Sequence, residues 1–306
     1  MTLKLTSSSV GQVIQAFGNL VHVKFDGSVR QGEMAHIDLS DTVSLKGEVI
    51  EIAGSVAKIQ VFEDTRDIQV KTPVRFTGDL LEAELGPGLI GSIVDGLQNP
   101  LEEIAHVSGY FLPRGLYIPP LDRHRHWNFE PVASVGETCQ RGDTIGTCIE
   151  NRFHHRIMVP FSFFGTYTIT WVNKAGSYPV DTVIAKVIDE NRVEHSITML
   201  QKWPIKIPLH EGERVRPTKM MTTGLRIVDT EFSLMKGGTF CTPGPFGAGK
   251  TVLQQHLAKY SSVDLVVVCA CGERAGEVVE MLREFPHLSD PHTGETLMKR
   301  TIIICN

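Results

Sequence analysis

The sequence predicts a multidomain chain in three parts: an N-terminal β-barrel, a β-rich module, and an α/β domain built on a parallel sheet. Three observations carry this prediction. Short alternating segments punctuated by glycine fill residues 10 to 76, and a second set of turn-spaced β segments fills residues 110 to 190. Beyond residue 238, continuous apolar runs alternate with helical patterns.

Length and composition allow this organisation. A chain of 306 residues has room for two or three domains, and 42% hydrophobic with 21% charged residues is ordinary globular composition. A net charge of -5 leaves no basic footprint for nucleic acid, so none is expected as a partner. Cys139, Cys148, Cys241, Cys269, Cys271 and Cys305 show no CxxC spacing. The last four sit in apolar runs, which reads as buried core in a reducing compartment. The start MTLKLTSSSV has no long apolar region, and no run approaches the ~18 apolar residues of a membrane span. A cytoplasmic location is expected, with any membrane attachment made through partners.

In the first part, Leu20-Val21-His22-Val23, Glu48 to Ile52 and Val56 to Val61 have strand period and composition. Turns fall at Gly18-Asn19, Asp26-Gly27 and Gly54-Ser55, and this spacing favours a small closed barrel used for packing or assembly. From Leu85 to Leu101, glycines and prolines interrupt an apolar run, as expected where two domains pack backbone to backbone. Val135 to Gly146 has the Gly-Glu and Gly-Asp turn rhythm of carrier-type β folds. It lacks the lysine a carrier displays at a hairpin tip, so the module is read as structural. His124, His126, His154 and His155 lie among Arg123, Arg125, Arg152 and Arg156, whose charge opposes a divalent metal, so a solvated or interface role is expected. Gln201 to Pro208 reads as an extended connector into the last domain.

The chemistry lies in Gly244-Pro245-Phe246-Gly247-Ala248-Gly249-Lys250-Thr251, a complete Gly-x-x-x-x-Gly-Lys-Thr phosphate-binding loop. Its glycines let backbone N–H groups turn inward around a polyphosphate, Lys250 supplies a mobile positive charge, and Thr251 offers its hydroxyl to Mg²⁺. Nucleotide binding of an unspecified kind is what this implies. Gly238 to Thr242 reads as the strand running in, and TVLQQHLAKY, with Leu253 and Leu257 four apart, as the helix running out. Asp264 to Cys271 is a second strand, residues 275 to 285 a second helix, and Thr301 to Cys305 a final strand, giving βαβαβ. The second strand ends in Gly272-Glu273-Arg274, at the sheet edge where ligands bind in open parallel sheets. Glu273 and Arg274 either reach the γ phosphate, orienting water and offsetting charge, or cap the following helix.

Several of these stretches together resemble the catalytic A subunits of V/A-type rotary ATPases. They are Gly86 to Leu101, Phe111 to Gly115, Trp203-Pro204, Thr223 to Asp229, the loop itself, and Cys271-Gly272-Glu273-Arg274, so the resemblance spans essentially the whole chain. It implies a barrel at 1–76, a connection forming part of the nucleotide-binding domain at 77–109, the bulge insertion at 110–190, and the first part of the P-loop domain at 191–306. It implies that Lys250 and Thr251 bind phosphate and Mg²⁺, that Glu273 activates water, and that Arg274 lies by the γ phosphate. Implied partners are B subunits alternating in a hexameric A3B3-type head, central and peripheral stalk subunits, and, indirectly, a membrane sector moving H⁺ or Na⁺. Ala248 stands where many members carry Cys or Ser. Members also continue well past Asn306, so the chain is expected to be the N-terminal part of a longer or disrupted reading frame and inactive alone. Two other readings compete: an inert or assembly-only fragment, and another hexameric P-loop ATPase such as a secretion ATPase, which the bulge argues against.

Overall fold

The computed structural model describes residues 9–109, 111–209, 215–245 and 247–305, except the side chain of Ala275. Phe246 of the phosphate-binding loop and the first eight residues of the stretch read as barrel lie outside the described residues.

Strands β1 (Val10–Phe17), β2 (Leu20–Asp26), β3 (Glu33–Asp38), β4 (Ser44–Ala53), β5 (Val56–Val61) and β6 (Pro73–Leu80) form a closed barrel in the order β1-β2-β5-β4-β3-β6. Alternation builds it: Val21, Val23, Ile37, Val49, Ile59, Val74 and Phe76 point inward and are buried, and polar neighbours face out. Two short strands follow, β7 (Glu82–Leu85) and β8 (Ile93–Asp95), then helix α1 (Leu101–Ser108).

The next module is a sandwich of two antiparallel sheets. One sheet orders β12 (Phe153–Met158), β11 (Thr144–Glu150), β9 (His126–Pro131) and β14 (Gly176–Pro179). The other orders β10 (Thr138–Cys139), β13 (Tyr167–Val172), β15 (Val183–Ile188) and β16 (Glu194–Thr198). Trp127, Phe129, Ile145, Ile169, Ile184 and Ile197 fill the space between them.

The chain leaves the sandwich through β17 (Gln201–Pro204), which pairs antiparallel with β7 from Gln201 opposite Leu85 to Pro204 opposite Glu82. The stretch read as a connector is therefore half strand, because its partner lies more than a hundred residues upstream and leaves no local trace. Gly86 sits at this junction. A Cβ there would lie 2.9 Å from Met199 O and 3.1 Å from Leu121 Cδ1, so only glycine permits the close crossing.

The last part contains helix α2 (Arg226–Glu231), helix α3 (Lys250–Tyr260), strand β18 (Val266–Ala270), helix α4 (Ala275–Glu284) and strand β19 (Thr301–Cys305). The sheet order is β18-β19-β8, parallel throughout. Residues 238–242 form no strand, contrary to the sequence expectation. The backbone just upstream is committed elsewhere: Met221 N donates to Leu234 O (2.7 Å), Lys236 N to Lys219 O (2.8 Å), and Gly238 N turns back to Met235 O (2.8 Å). Among the described residues that leaves β18 paired with β19 alone, with Val267 and Cys269 exposed. Cys241 and Cys271 are exposed too, so of the four late cysteines only Cys305 is buried, correcting the expectation of a core role for all four.

Candidate functional site

Helix α3 begins at the phosphate-binding loop. Gly249 is its N-cap with φ 81° and ψ 19°, a left-handed conformation that glycine adopts without strain, and no side chain caps the helix. The first bond of the helix runs from Leu253 N to Gly249 O (3.0 Å), so the N–H groups of Lys250, Thr251 and Val252 have no helical acceptor. These donors and the helix dipole favour an anion at this end. The loop folds back on itself: a Cβ on Gly244 would lie 3.2 Å from Ala248 Cβ and 3.8 Å from Lys250 Cγ and Cδ. Lys250 is exposed.

Thr251 turns toward the neighbouring helix. Its hydroxyl donates to Glu277 Oε2 (2.9 Å) in the first turn of α4. Thr251, Glu273 and Glu277 line one cavity of about 350 Å³, whose floor is Val266 to Ala270 of β18 and whose apolar wall includes Leu257, Met281 and Phe285. Glu273 reaches it because β18 ends at Ala270 and the chain turns at Gly272, which has φ 68°. Arg274 is the backbone N-cap of α4: its carbonyl accepts from Glu277 N (2.9 Å) and Val278 N (3.1 Å). Neither Arg274 nor Lys250 is among the residues lining the cavity. Cys269 also lines this cavity, and desolvation of its sulfur, followed by the neighbouring Cys271, pushes its thiol up.

The far end of α3 is held by the segment that resembles a family stretch at Thr223 to Asp229. Asp229 accepts from Thr223 N (2.9 Å), the Thr223 hydroxyl (2.7 Å) and Gly224 N (3.1 Å), and these bonds hold its carboxyl below the usual range. Ser262 N donates to Thr222 O (2.9 Å), tying the segment to the chain just past α3.

Three family models match along the chain. Residues 13–78 match the beta-barrel domain of the ATP synthase alpha/beta family, residues 118–206 its barrel-sandwich domain, and residues 224–306 its nucleotide-binding domain. The V-type ATP synthase alpha chain of Protochlamydia amoebophila (strain UWE25) is 65% identical over 296 residues, covering 97% of this chain and 50% of that protein. The V-type ATP synthase alpha chains of Chlamydia caviae and Chlamydia pneumoniae are each 58% identical over the same length.

The chain is a homologue of V-type ATP synthase alpha chains. It spans about half the length of the curated relatives it matches (50%). The barrel, the sandwich and the start of a nucleotide-binding domain with a parallel sheet each match a domain of the ATP synthase alpha/beta family. Among the described residues, no helix is long and apolar enough to cross a membrane.

Within this alpha-chain homologue, Glu277 is a residue of the candidate site that the sequence reading missed: it lines the cavity and accepts from Thr251. A signal was available, since Glu277 lies four residues after Glu273 and at the start of a helix, where an acidic side chain is favoured. Its proximity to Thr251 depends on how α3 and α4 pack, which no local pattern encodes.

Proposed function

We propose that this chain forms the nucleotide-binding part of the catalytic subunit of a V/A-type ATP synthase or ATPase. In the assembled complex that subunit interconverts ATP with ADP and phosphate, coupled to transmembrane H⁺ or Na⁺ movement. The observation that carries the reading is the convergence of Thr251, Glu273 and Glu277 on one cavity beside the uncapped start of α3.

In this reading the N–H groups of the loop and Lys250 hold the β and γ phosphates. The residues present also suit Mg²⁺: the Thr251 hydroxyl and the Glu277 carboxylate are hard oxygen donors 2.9 Å apart, with Glu273 on the same cavity. When bound, Mg²⁺ neutralises charge developing on the phosphate oxygens. Thr251 would hold it, and Glu277 fixes the direction of the Thr251 hydroxyl. Glu273 orients and polarises the attacking water, and Arg274 offsets charge near the γ phosphate.

The partners proposed are B subunits alternating with this chain in a hexameric head, the central and peripheral stalks, and indirectly the membrane sector. A cytoplasmic position at the membrane face follows from that assembly. Because the neighbouring B subunit supplies a further cation, turnover is expected from the complex rather than from the chain alone.

The test is calorimetric titration with Mg·ATP. The chain is expected to bind, Lys250→Ala to lose binding, and the same substitution to abolish turnover in the assembled complex. Wild-type turnover in the Lys250→Ala complex would refute the assignment.

A further inference from the structure

Arg300 is among the largest fully buried side chains of the protein, at 1% exposure, although it carries an obligate charge. It lies at the end of a 3-10 turn, Leu297–Arg300, leading into β19. Its guanidinium points at the C-terminal end of α3: Nη1 donates to Val263 O (2.9 Å), and Nη2 to Lys259 O (3.1 Å) and Ala258 O (3.4 Å). These carbonyls belong to the last turn of α3 or lie just beyond it, where helix carbonyls lack intrahelical donors and a cation meets the negative end of the dipole.

The counter-charge is Asp290, 2% exposed, whose Oδ2 lies 3.1 Å from Arg300 Nε. Burial alone would push its carboxyl up, but the His292 N–H (3.0 Å), the Thr293 hydroxyl (3.1 Å) and the charges of Arg300 and Arg152 reverse that and hold it below the ordinary range.

The same carboxylate is shared with another domain. Arg152, at the tip of the β11–β12 hairpin of the sandwich, places Nη1 3.3 Å from Asp290 Oδ2. Asn151 in the same turn donates from Nδ2 to Lys299 O (3.0 Å), next to Arg300. A continuous polar chain thus runs from the sandwich hairpin through Asp290 and Arg300 to the carbonyls of the P-loop helix.

The geometry points to Arg300 as a positioning residue of the nucleotide site, with the hairpin pair Asn151 and Arg152 setting through Asp290 where the P-loop helix lies. A helix of 11 residues is a rod roughly 16 Å long, so fixing its C-terminal end also fixes the aim of the N–H groups at its start. Arg300 and Asp290 do not line the cavity, so they act on the site through the elements they hold, α3 foremost. The inference rests on the nucleotide reading of the loop given above.

Arg152→Ala tests it with little risk to folding, because the Arg152 side chain is 31% exposed. Two readouts are needed: amide hydrogen exchange of residues 250–260 in the chain without nucleotide, and Mg·ATP affinity by calorimetry. Exchange in α3 is expected to rise, and affinity to fall, by roughly threefold or more, with exchange in the sandwich and the unfolding midpoint unchanged. Arg152→Lys keeps the charge and is expected to restore both, while Arg300→Lys, lacking the planar fork, is expected to reproduce the defect. Unchanged α3 exchange in Arg152→Ala and Arg300→Lys overturns the inference, as does unchanged affinity where the wild type binds normally. If the wild-type chain binds no Mg·ATP at all, the nucleotide reading falls, and the exchange of α3 still decides whether Arg300 positions the helix.

Discussion

The Thr251 hydroxyl and the Glu277 carboxylate meet at 2.9 Å, joining the first turn of the P-loop helix to the first turn of the next. Under the proposed function each group is also an oxygen donor suited to a hard cation, and their contact would then couple cation binding to the packing of the two helices. Thr251→Val keeps the shape and removes the hydroxyl. It is expected to weaken Mg·ATP binding about tenfold, the loss of roughly 1.4 kcal/mol, and to weaken metal-free ATP binding far less. Glu277→Gln, which still accepts from Thr251, is expected to fall between Thr251→Val and wild type. Calorimetric titrations with and without chelator measure both.

Gly249 holds the left-handed conformation from which α3 starts, with φ 81°. Among the described residues nothing lies within 4 Å of where its Cβ would stand, so Gly249→Ala meets no clash with them and the expected cost is conformational. That cost is about 1–2 kcal/mol, to be read as a lower urea midpoint. Gly238→Ala is different in kind, since its Cβ would stand 2.9 Å from Met235 O.

Glu150 is a carboxylate at 1% exposure that the sandwich lends to its neighbour. Its Oε1 accepts from Gly88 N (2.6 Å) and Ile90 N (3.1 Å), and its Oε2 pairs with His155 Nδ1 (2.7 Å). Glu150→Ala strands two backbone donors and is expected to cost roughly 3 kcal/mol in chemical denaturation. Glu150→Gln keeps one acceptor oxygen for Gly88 and Ile90 and is expected to recover part of that loss.

Asp229 supplies a pH prediction. Its bonds from Thr223 and Gly224 hold the folded-state pKa below the ordinary Asp value of about 3.9, so its contribution to stability is fully present above that value. It is lost only as pH falls through the lowered folded-state pKa. Asp229→Asn is therefore expected to melt below wild type at neutral pH, with the gap closing in strong acid. Carboxyl chemical shifts followed by NMR should place the Asp229 midpoint below those of free Asp residues.

What was legible in the sequence follows the range of the forces involved. Strands β2, β4 and β5 were readable because alternation and glycine turns are local, and α3 was readable from its glycine start and leucine spacing. Residues 238–242 were misread because β propensity reports fitness for a pleated surface, and here the neighbouring backbone bonds had gone to residues 219–221. Cys269 was misread for a related reason: an apolar run is buried on both faces only when both faces are covered, and β18 has one neighbour in the sheet. The loop residues were singled out by their spacing, whereas spacing alone left Glu273 open between a γ-phosphate role and a helix cap, and only the resemblance favoured the former. Glu277, and the Arg152–Asp290–Arg300 chain, join residues from separate elements, and no period in the sequence marks them.

Strand β8 carries a consequence for how the chain reaches this state. Ile93 pairs with Ile303 and Val94 with Ile304, so one edge of the nucleotide-binding sheet is synthesised about two hundred residues before the strand it docks on. The whole sandwich emerges in between. At synthesis rates of roughly 5–20 residues per second, β8 waits about ten seconds or more for β19, while the barrel and then the sandwich become complete enough to fold. During that interval one side of the nucleotide-binding sheet waits as an unpaired strand edge, the kind of edge that invites pairing with another chain.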